Sequence, residues 1–184
     1  MASTLKINNL DTASGTTITI PTGKTLVGTD SGSIAGKGNI INVTFGTHNT
    51  TGLTTTSTSF VQYTGSNITV TKLRGPGNVA GGSYLLVMGS TWIEFSASAN
   101  QKHLSYSLMR DGTDLSGQSY GFGNLYSNSA DGYQSSADIS FVDPANLNAG
   151  NYVYSMALAG NNASTVQMGN GSRVGTWQIL EIAT

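Results

Sequence analysis

No stretch of this chain carries apolar residues at a helical period. Instead, short apolar runs such as Ser83–Met88, Ser140–Val142 and Trp177–Ile182 are separated by Ser, Thr, Asn and Gly. That pattern specifies strands joined by turns. A second feature narrows the choice further: the chain has only eight basic and nine acidic residues in 184. Charge is what usually blunts the exposed edges of a β-protein and keeps it monomeric. A β-chain this poor in charge is expected to hide its edges by closing into a sandwich and packing against identical copies.

The same composition excludes other classes. Disorder goes with few β-branched residues and high net charge, whereas Thr, Ile and Val are plentiful here and the formal net charge is −1. Five lysines and three arginines are scattered without a basic run, which argues against nucleic acid as a partner. No apolar span reaches the ~18 residues of a transmembrane helix, so no membrane insertion is expected. The start, Met1-Ala2-Ser3-Thr4-Leu5-Lys6-Ile7, lacks the basic and apolar regions of a secretory signal, which points to synthesis in the cytoplasm without a signal peptide. Absence of cysteine removes thiolate nucleophiles and thiolate metal sites. Five Asn-x-Ser/Thr sequons begin at Asn42, Asn49, Asn67, Asn162 and Asn170, as chance produces in such a composition.

Three zones separate by pattern. Residues 1–45 carry short strands punctuated by glycine, among them Thr16–Ile20, and are too short to form a core alone. Residues 46–59 are a Thr/Ser-rich linker without proline. From residue 60 to 184, strands recur at sandwich spacing. They are expected near Phe60–Tyr63, Ile68–Lys72, Ser83–Met88, Thr91–Ser98, His103–Arg110, Ala137–Asp143, Asn151–Leu158, Thr165–Met168 and Thr176–Ile182. Asp111-Gly112 marks a type I′ hairpin. About nine strands at this spacing match a jelly roll or similar two-sheet sandwich. The last strand has Ile179, Leu180 and Ile182 on both faces, with Trp177 beside Ile179. A strand apolar on both faces lies between its own core and a second apolar surface, which a three-fold partner would supply.

Chemical constellations are weak. His48 and His103 are too few for a histidine metal site in one chain, and His103 reads as a solvent-facing residue beside Lys102. Glu94 and Glu181 are the only glutamates. Glu94 reads as solvated, and Glu181 as a partner of Arg173 or Arg110 or a cap on a trimer network, rather than as a glycosidase pair. Gly117-Gln118-Ser119-Tyr120-Gly121 fits a nucleophile elbow in letters only, since no helical pattern follows it. Asp111, Asp114 and Asp131 sit near glycines and read as turn residues rather than a calcium loop. Gly75-Pro76-Gly77 and Gly81-Gly82 are loops, not a phosphate cradle. The chain is therefore not read as an enzyme, and no cofactor, catalytic residue or metal is expected. One segment, Ser116–Ser136, has the composition of a binding surface. Tyr120, Phe122, Tyr126 and Tyr133 stand among Gly, Ser and Asn, and such rings can stack on sugars.

Several of these stretches resemble bacteriophage fibre proteins of marine and cyanobacterial phages. They are Ser83–Val87, Tyr106-Ser107-Leu108-Met109-Arg110-Asp111-Gly112, Phe141-Val142-Asp143-Pro144, the terminal Gln178–Ala183, and the opening Leu5–Leu10 with Gly15–Pro21. The resemblance covers about three-quarters of the chain by short motifs. It implies an all-β homotrimer, with an N-terminal short-strand virion anchor followed by a jelly-roll head of the tumour-necrosis-factor type. Leu5, Ile7, Leu10, Ile18 and Ile20 would serve the anchor and contact other virion proteins. Trp177, Ile179, Leu180 and Ile182 would form the trimer interface, and Tyr120, Phe122, Tyr126 and Tyr133 would bind a host surface glycan or protein. The expected role is a short tail fibre or spike in the virion. A capsid decoration protein (cement or head-fibre) is the alternative, and a polysaccharide-degrading tailspike is disfavoured for want of a carboxylate cleft. Only about 45 residues precede the linker, which favours a squat spike over a long fibre.

Overall fold

Alternation decides the elements. In a computed structural model, the runs that alternate apolar with polar residues are strands whose inward side chains are buried. The structure describes residues 38–48, 52–95, 102–127, 133–143, 146–160, 165–169 and 173–184. These fall in one compact unit, Ala35–Thr184. In chain order the strands are β1 (Ile40–His48), β2 (Leu53–Thr55), β3 (Val61–Gln62), β4 (Ile68–Lys72), β5 (Ser83–Phe95) and β6 (Lys102–Arg110). After them come β7 (Thr113–Asp114), β8 (Gly123–Ser127), β9 (Tyr133–Asp143), β10 (Gly150–Gly160), β11 (Val166–Met168) and β12 (Gly175–Ala183). A single helical turn, Thr64–Ser66, lies between β3 and β4.

The pairing makes two antiparallel sheets. In the first, β12 pairs β1 on one side and β5 on the other, and β5 pairs β9 along its far edge. β11 continues that sheet beyond β12, joining the end of β5 to β2. In the second, β10 pairs β4 and β3 on one edge and β6 on the other, and β6 pairs β8 and β7. Consider the eight principal strands β1, β4, β5, β6, β8, β9, β10 and β12 in chain order. The first sheet then reads first, eighth, third, sixth, and the second reads second, seventh, fourth, fifth. Chain neighbours mostly lie in opposite sheets, which is the double Greek key of a jelly roll. The all-β sandwich expected from the sequence is the observed fold.

The core lies between the sheets. Leu85, Val87, Ile93, Phe95, Ile139, Trp177 and Ile179 enter it from the first sheet, and Leu104, Leu108, Tyr154, Met156 and Leu158 from the second. The expected hairpin is present: Asp111 and Gly112 have φ of 50° and 79° and join β6 to β7.

Three expectations change. The break read between Ser83–Met88 and Thr91–Ser98 is absent, because β5 runs through Gly89 unbroken. Gly89 is there to make room: a Cβ at that position would sit 2.4 Å from the Trp177 ring. The boundary drawn at residue 45 falls inside β1, which pairs β12 along nearly its whole length. The 46–59 segment contributes the end of β1 and all of β2 to the first sheet. The anchor residues Leu5, Ile7, Leu10, Ile18 and Ile20 lie outside the described residues.

Candidate functional site

The first sheet's outer face is where the last strand's double apolar character is resolved. Trp177 and Ile179 face inward and are core residues, with the Trp177 indole N–H donating to Ser66 O at 2.7 Å. Leu180 and Ile182 point outward. Register aligns Val43, Leu180, Leu86 and Val142 in one row across four strands. The row on one side brings Phe45 and Met88, and the row on the other brings Ile40, Ile182 and Tyr84. Phe45 is 70% exposed and Val142 52%. No charged side chain interrupts these rows. The first one along the face is Asp138, opposite Ser90. Of the four residues read as a trimer interface, the structure thus assigns two to the core and two to an exposed apolar face. Val43, Phe45 and Val142 share that face and were missed. Their signal was faint: Val43 and Phe45 each stand alone, flanked by Asn42, Thr44 and Gly46, and Val142 follows Phe141, which faces the other side of the same strand.

Beyond Ser90 the same face turns polar. A cleft of about 450 Å³ opens there, lined by Trp92, Gln134, Ser136, Arg173 and their neighbours. Arg173 lies over the Trp92 ring, its Cζ 5.1 Å from the centroid. Arg173 Nη2 donates to Gln134 Oε1 at 3.1 Å, and Gln134 Nε2 donates to Glu94 Oε2 at 3.2 Å. Ser136 Oγ donates to Asp138 Oδ2 at 2.7 Å. Glu94 is therefore part of a side-chain network rather than a solitary solvated carboxylate.

The four aromatics of Ser116–Ser136 do not act as one patch. That segment is not all loop: β8 runs through Gly123–Ser127 and pairs β6. Alternation sends Leu125 inward and Tyr126 outward. Tyr126 and Tyr120, each 58% exposed, flank His103 with ring centroids 6.2 and 5.1 Å away. His103 is thus wedged between two tyrosines rather than simply solvent-facing. Phe122 packs edge-on against Phe141 at 5.0 Å, beside the core. Tyr133 opens β9 in the first sheet, directly across from Phe95 on β5.

Several polar residues turn inward to hold the sandwich. Glu181 pairs with neither Arg173 nor Arg110. Its carboxylate accepts the backbone N–H groups of Leu73 and Arg74, both at 2.9 Å, and the Ser83 hydroxyl at 2.5 Å. Lys72 Nζ donates to Ser83 Oγ at 2.8 Å and to the carbonyls of Arg74 and Gly75. Lys72, Ser83 and Glu181 are all buried, and burial lowers the Lys72 pKa while Glu181 opposes that shift. Arg110 instead grips Asp143, with Nη1 to Oδ2 at 2.6 Å, and the Tyr154 hydroxyl donates to the same oxygen at 2.7 Å. Burial and that carboxylate hold the Tyr154 phenol well above its ordinary pKa.

His48, read from sequence as a linker residue, closes β1 in a buried site. Its Nε2 lies 3.1 Å from Thr91 Oγ1, its ring packs edge-on to Tyr63, and burial lowers its pKa. Asp111 and Asp114 spend their oxygens on turns. Asp111 accepts the Val153 N–H, and Asp114 accepts from Ser116 and the Ser107 hydroxyl. Ser119 lies in an exposed turn leading to β8, not at the head of a helix.

No protein-family model and no curated protein matches the chain. The chain is similar to a solved structure of infectious bursal disease virus, Gx strain, with a TM-score of 0.32 and 12% identity. The match spans 86% of this chain and 41% of that one, and at such a score it carries no argument about function.

Proposed function

We propose that this protein is a non-enzymatic structural component of a phage virion, assembled as a homotrimer through the outer face of its first sheet. The observation that carries the reading is the uncharged apolar row of Val43, Leu180, Leu86 and Val142, with Phe45, Ile40 and Ile182 beside it. A contiguous apolar surface of this kind is what soluble monomers avoid. A second copy of the same chain is its natural occupant, since a face without charge meets its like without stranding an ion. The motifs resembling phage fibres place such an oligomer in a short fibre or spike, with Tyr120 and Tyr126 among the surfaces that meet the host.

Phe45 tests the reading cleanly because its side chain is mostly outside the fold. Light scattering on the wild type should give three times the 19.0 kDa chain mass. Phe45→Asp and Leu180→Asp should give folded monomers, since each buries an unpaired carboxylate only in the assembly. A wild type that stays monomeric at micromolar concentration overturns the proposal. So do both variants remaining trimeric, which would move the interface elsewhere.

A further inference from the structure

We infer that the cleft between Trp92 and Arg173 is a binding site for a neutral carbohydrate. Four observations converge on it. It is a concavity of about 450 Å³, within the size range of small-ligand sites. Its lining carries Arg173, Gln134 and Ser136 in a bonded series, Arg173 to Gln134, Gln134 to Glu94 and Ser136 to Asp138, with the two carboxylates just outside it. Adjacent donors and acceptors of this kind match vicinal sugar hydroxyls, each of which both gives and takes a hydrogen bond. Arg173 lies over an indole and is tethered by Gln134, so its remaining N–H groups are pre-oriented rather than mobile. Finally, Trp92 is buried, yet its Nε1 has no hydrogen-bond partner among the described residues. An unpaired buried donor is rare in native structures and calls for a partner that the described residues do not supply.

Charge selects among ligands. Against the single guanidinium of Arg173, the carboxylates of Glu94 and Asp138 border the cleft through their bonds to Gln134 and Ser136, so a phosphate or acidic sugar would meet net repulsion. An apolar ligand would strand Gln134, Ser136 and Glu94 without water. Neutral hydroxyls satisfy all of them. A sugar held here deepens the attachment role proposed above and rests on it for biological context. It adds a contact separate from Tyr120 and Tyr126.

The chain's two tryptophans provide the test, because the Trp177 indole is already bonded to Ser66 and serves as an internal control. Full-length protein labelled with nitrogen-15 is titrated with maltotriose, triacetylchitotriose and trigalacturonate. At least one neutral probe should move the Trp92 indole resonance saturably while Trp177 stays still. Arg173→Ala should weaken that binding about tenfold, as loss of one charged hydrogen bond implies, without changing the oligomeric state. The inference is overturned by no movement of Trp92 at millimolar sugar, by movement with trigalacturonate alone, or by undiminished binding in Arg173→Ala. If host adsorption is lost in Tyr126→Ala while Trp92 ignores every sugar, attachment stands and the cleft does not serve it.

Discussion

Replacing Glu181 by Gln should destabilise the sandwich severely, and the structure says by how much and through whom. The carboxylate is buried and receives three hydrogen bonds, from the Leu73 and Arg74 amides and the Ser83 hydroxyl. Each oxygen accepts from one amide, so a Gln must turn its NH2 toward one backbone N–H, donor against donor. The larger loss is electrostatic. Lys72 is equally buried, reaches Glu181 only through Ser83, and has backbone carbonyls as its other partners. Lys72 and Glu181 are bridged by Ser83 rather than in contact, so the loss approaches from below the roughly 3–5 kcal/mol of breaking a buried ion pair, because the other charge is left uncompensated. At roughly 2–4 °C per kcal/mol for a domain of this size, the melting temperature should fall by on the order of 10 °C.

A double-mutant cycle separates that account from simple loss of packing. Lys72→Met alone should also destabilise, by leaving Ser83 Oγ and the Arg74 and Gly75 carbonyls without their donor and the buried Glu181 charge uncompensated. The double variant Lys72→Met, Glu181→Gln should cost clearly less than the sum of the two, with a coupling of about 1–3 kcal/mol. Urea denaturation followed by tryptophan fluorescence reads all four proteins on one scale. Strict additivity would refute the reasoning, since it would mean that Lys72 and Glu181 do not sense each other through Ser83.

Other substitutions probe separate parts of the fold. Gly89→Ala places a Cβ against the Trp177 ring and should cost about 1–3 kcal/mol in urea denaturation, as overpacking does. His48 should make stability fall with acid. Its folded pKa is lowered by burial, so below the unfolded value of 6.5 the unfolded chain binds a proton that the native state refuses. Stability is then lost by at most about 1.4 kcal/mol per pH unit until the folded pKa is passed. His48→Gln should remove that portion of the slope between pH 6.5 and 5, and an unchanged slope would deny the burial effect. Tyr126→Ala should leave the melting temperature unchanged within error and reduce adsorption to host cells. A purely thermal defect would instead make Tyr126 a packing residue.

Strand existence was legible because a strand with one buried face declares itself by alternation. Ile68–Lys72 reads off directly, with Ile68, Val70 and Lys72 inward and Thr69 and Thr71 outward. Positions where a neighbour from another strand decides the conformation were not legible. Gly89 looks like a break until the Trp177 ring above it is known. β8 hid in a Gly/Ser-rich segment because only Leu125 commits to the core, and one inward residue is no period. The apolar outer face was half legible. Leu180 and Ile182 announced it from β12, but Phe45 and Val142 join them only through registers that span the chain.

The chain's sparse charge has a structural counterpart. Lys72, Glu181 and Asp143 are buried, and Arg110 and Asp114 are partly so, each spent on fixing a strand, a turn or the loop after β4. Arg173 lines one cleft, and Glu94 and Asp138 bond its Gln134 and Ser136 from beside it. Among the described residues these eight leave only Arg74, Lys102 and Asp111 to keep two copies of the first sheet apart, and the row from Val43 to Val142 carries none. Like-charge repulsion is what ordinarily prevents sheets from associating. A chain that commits its ions to internal pins and one polar cleft has removed that barrier from the face where its apolar side chains are exposed. Adding charge there should therefore act on assembly before it acts on folding. Val142→Lys, at a half-exposed position on β9, should lower the association constant while leaving the urea midpoint of the dissociated chain unchanged. A shift in that midpoint with association intact would show that the row belongs to the fold and not to a partner.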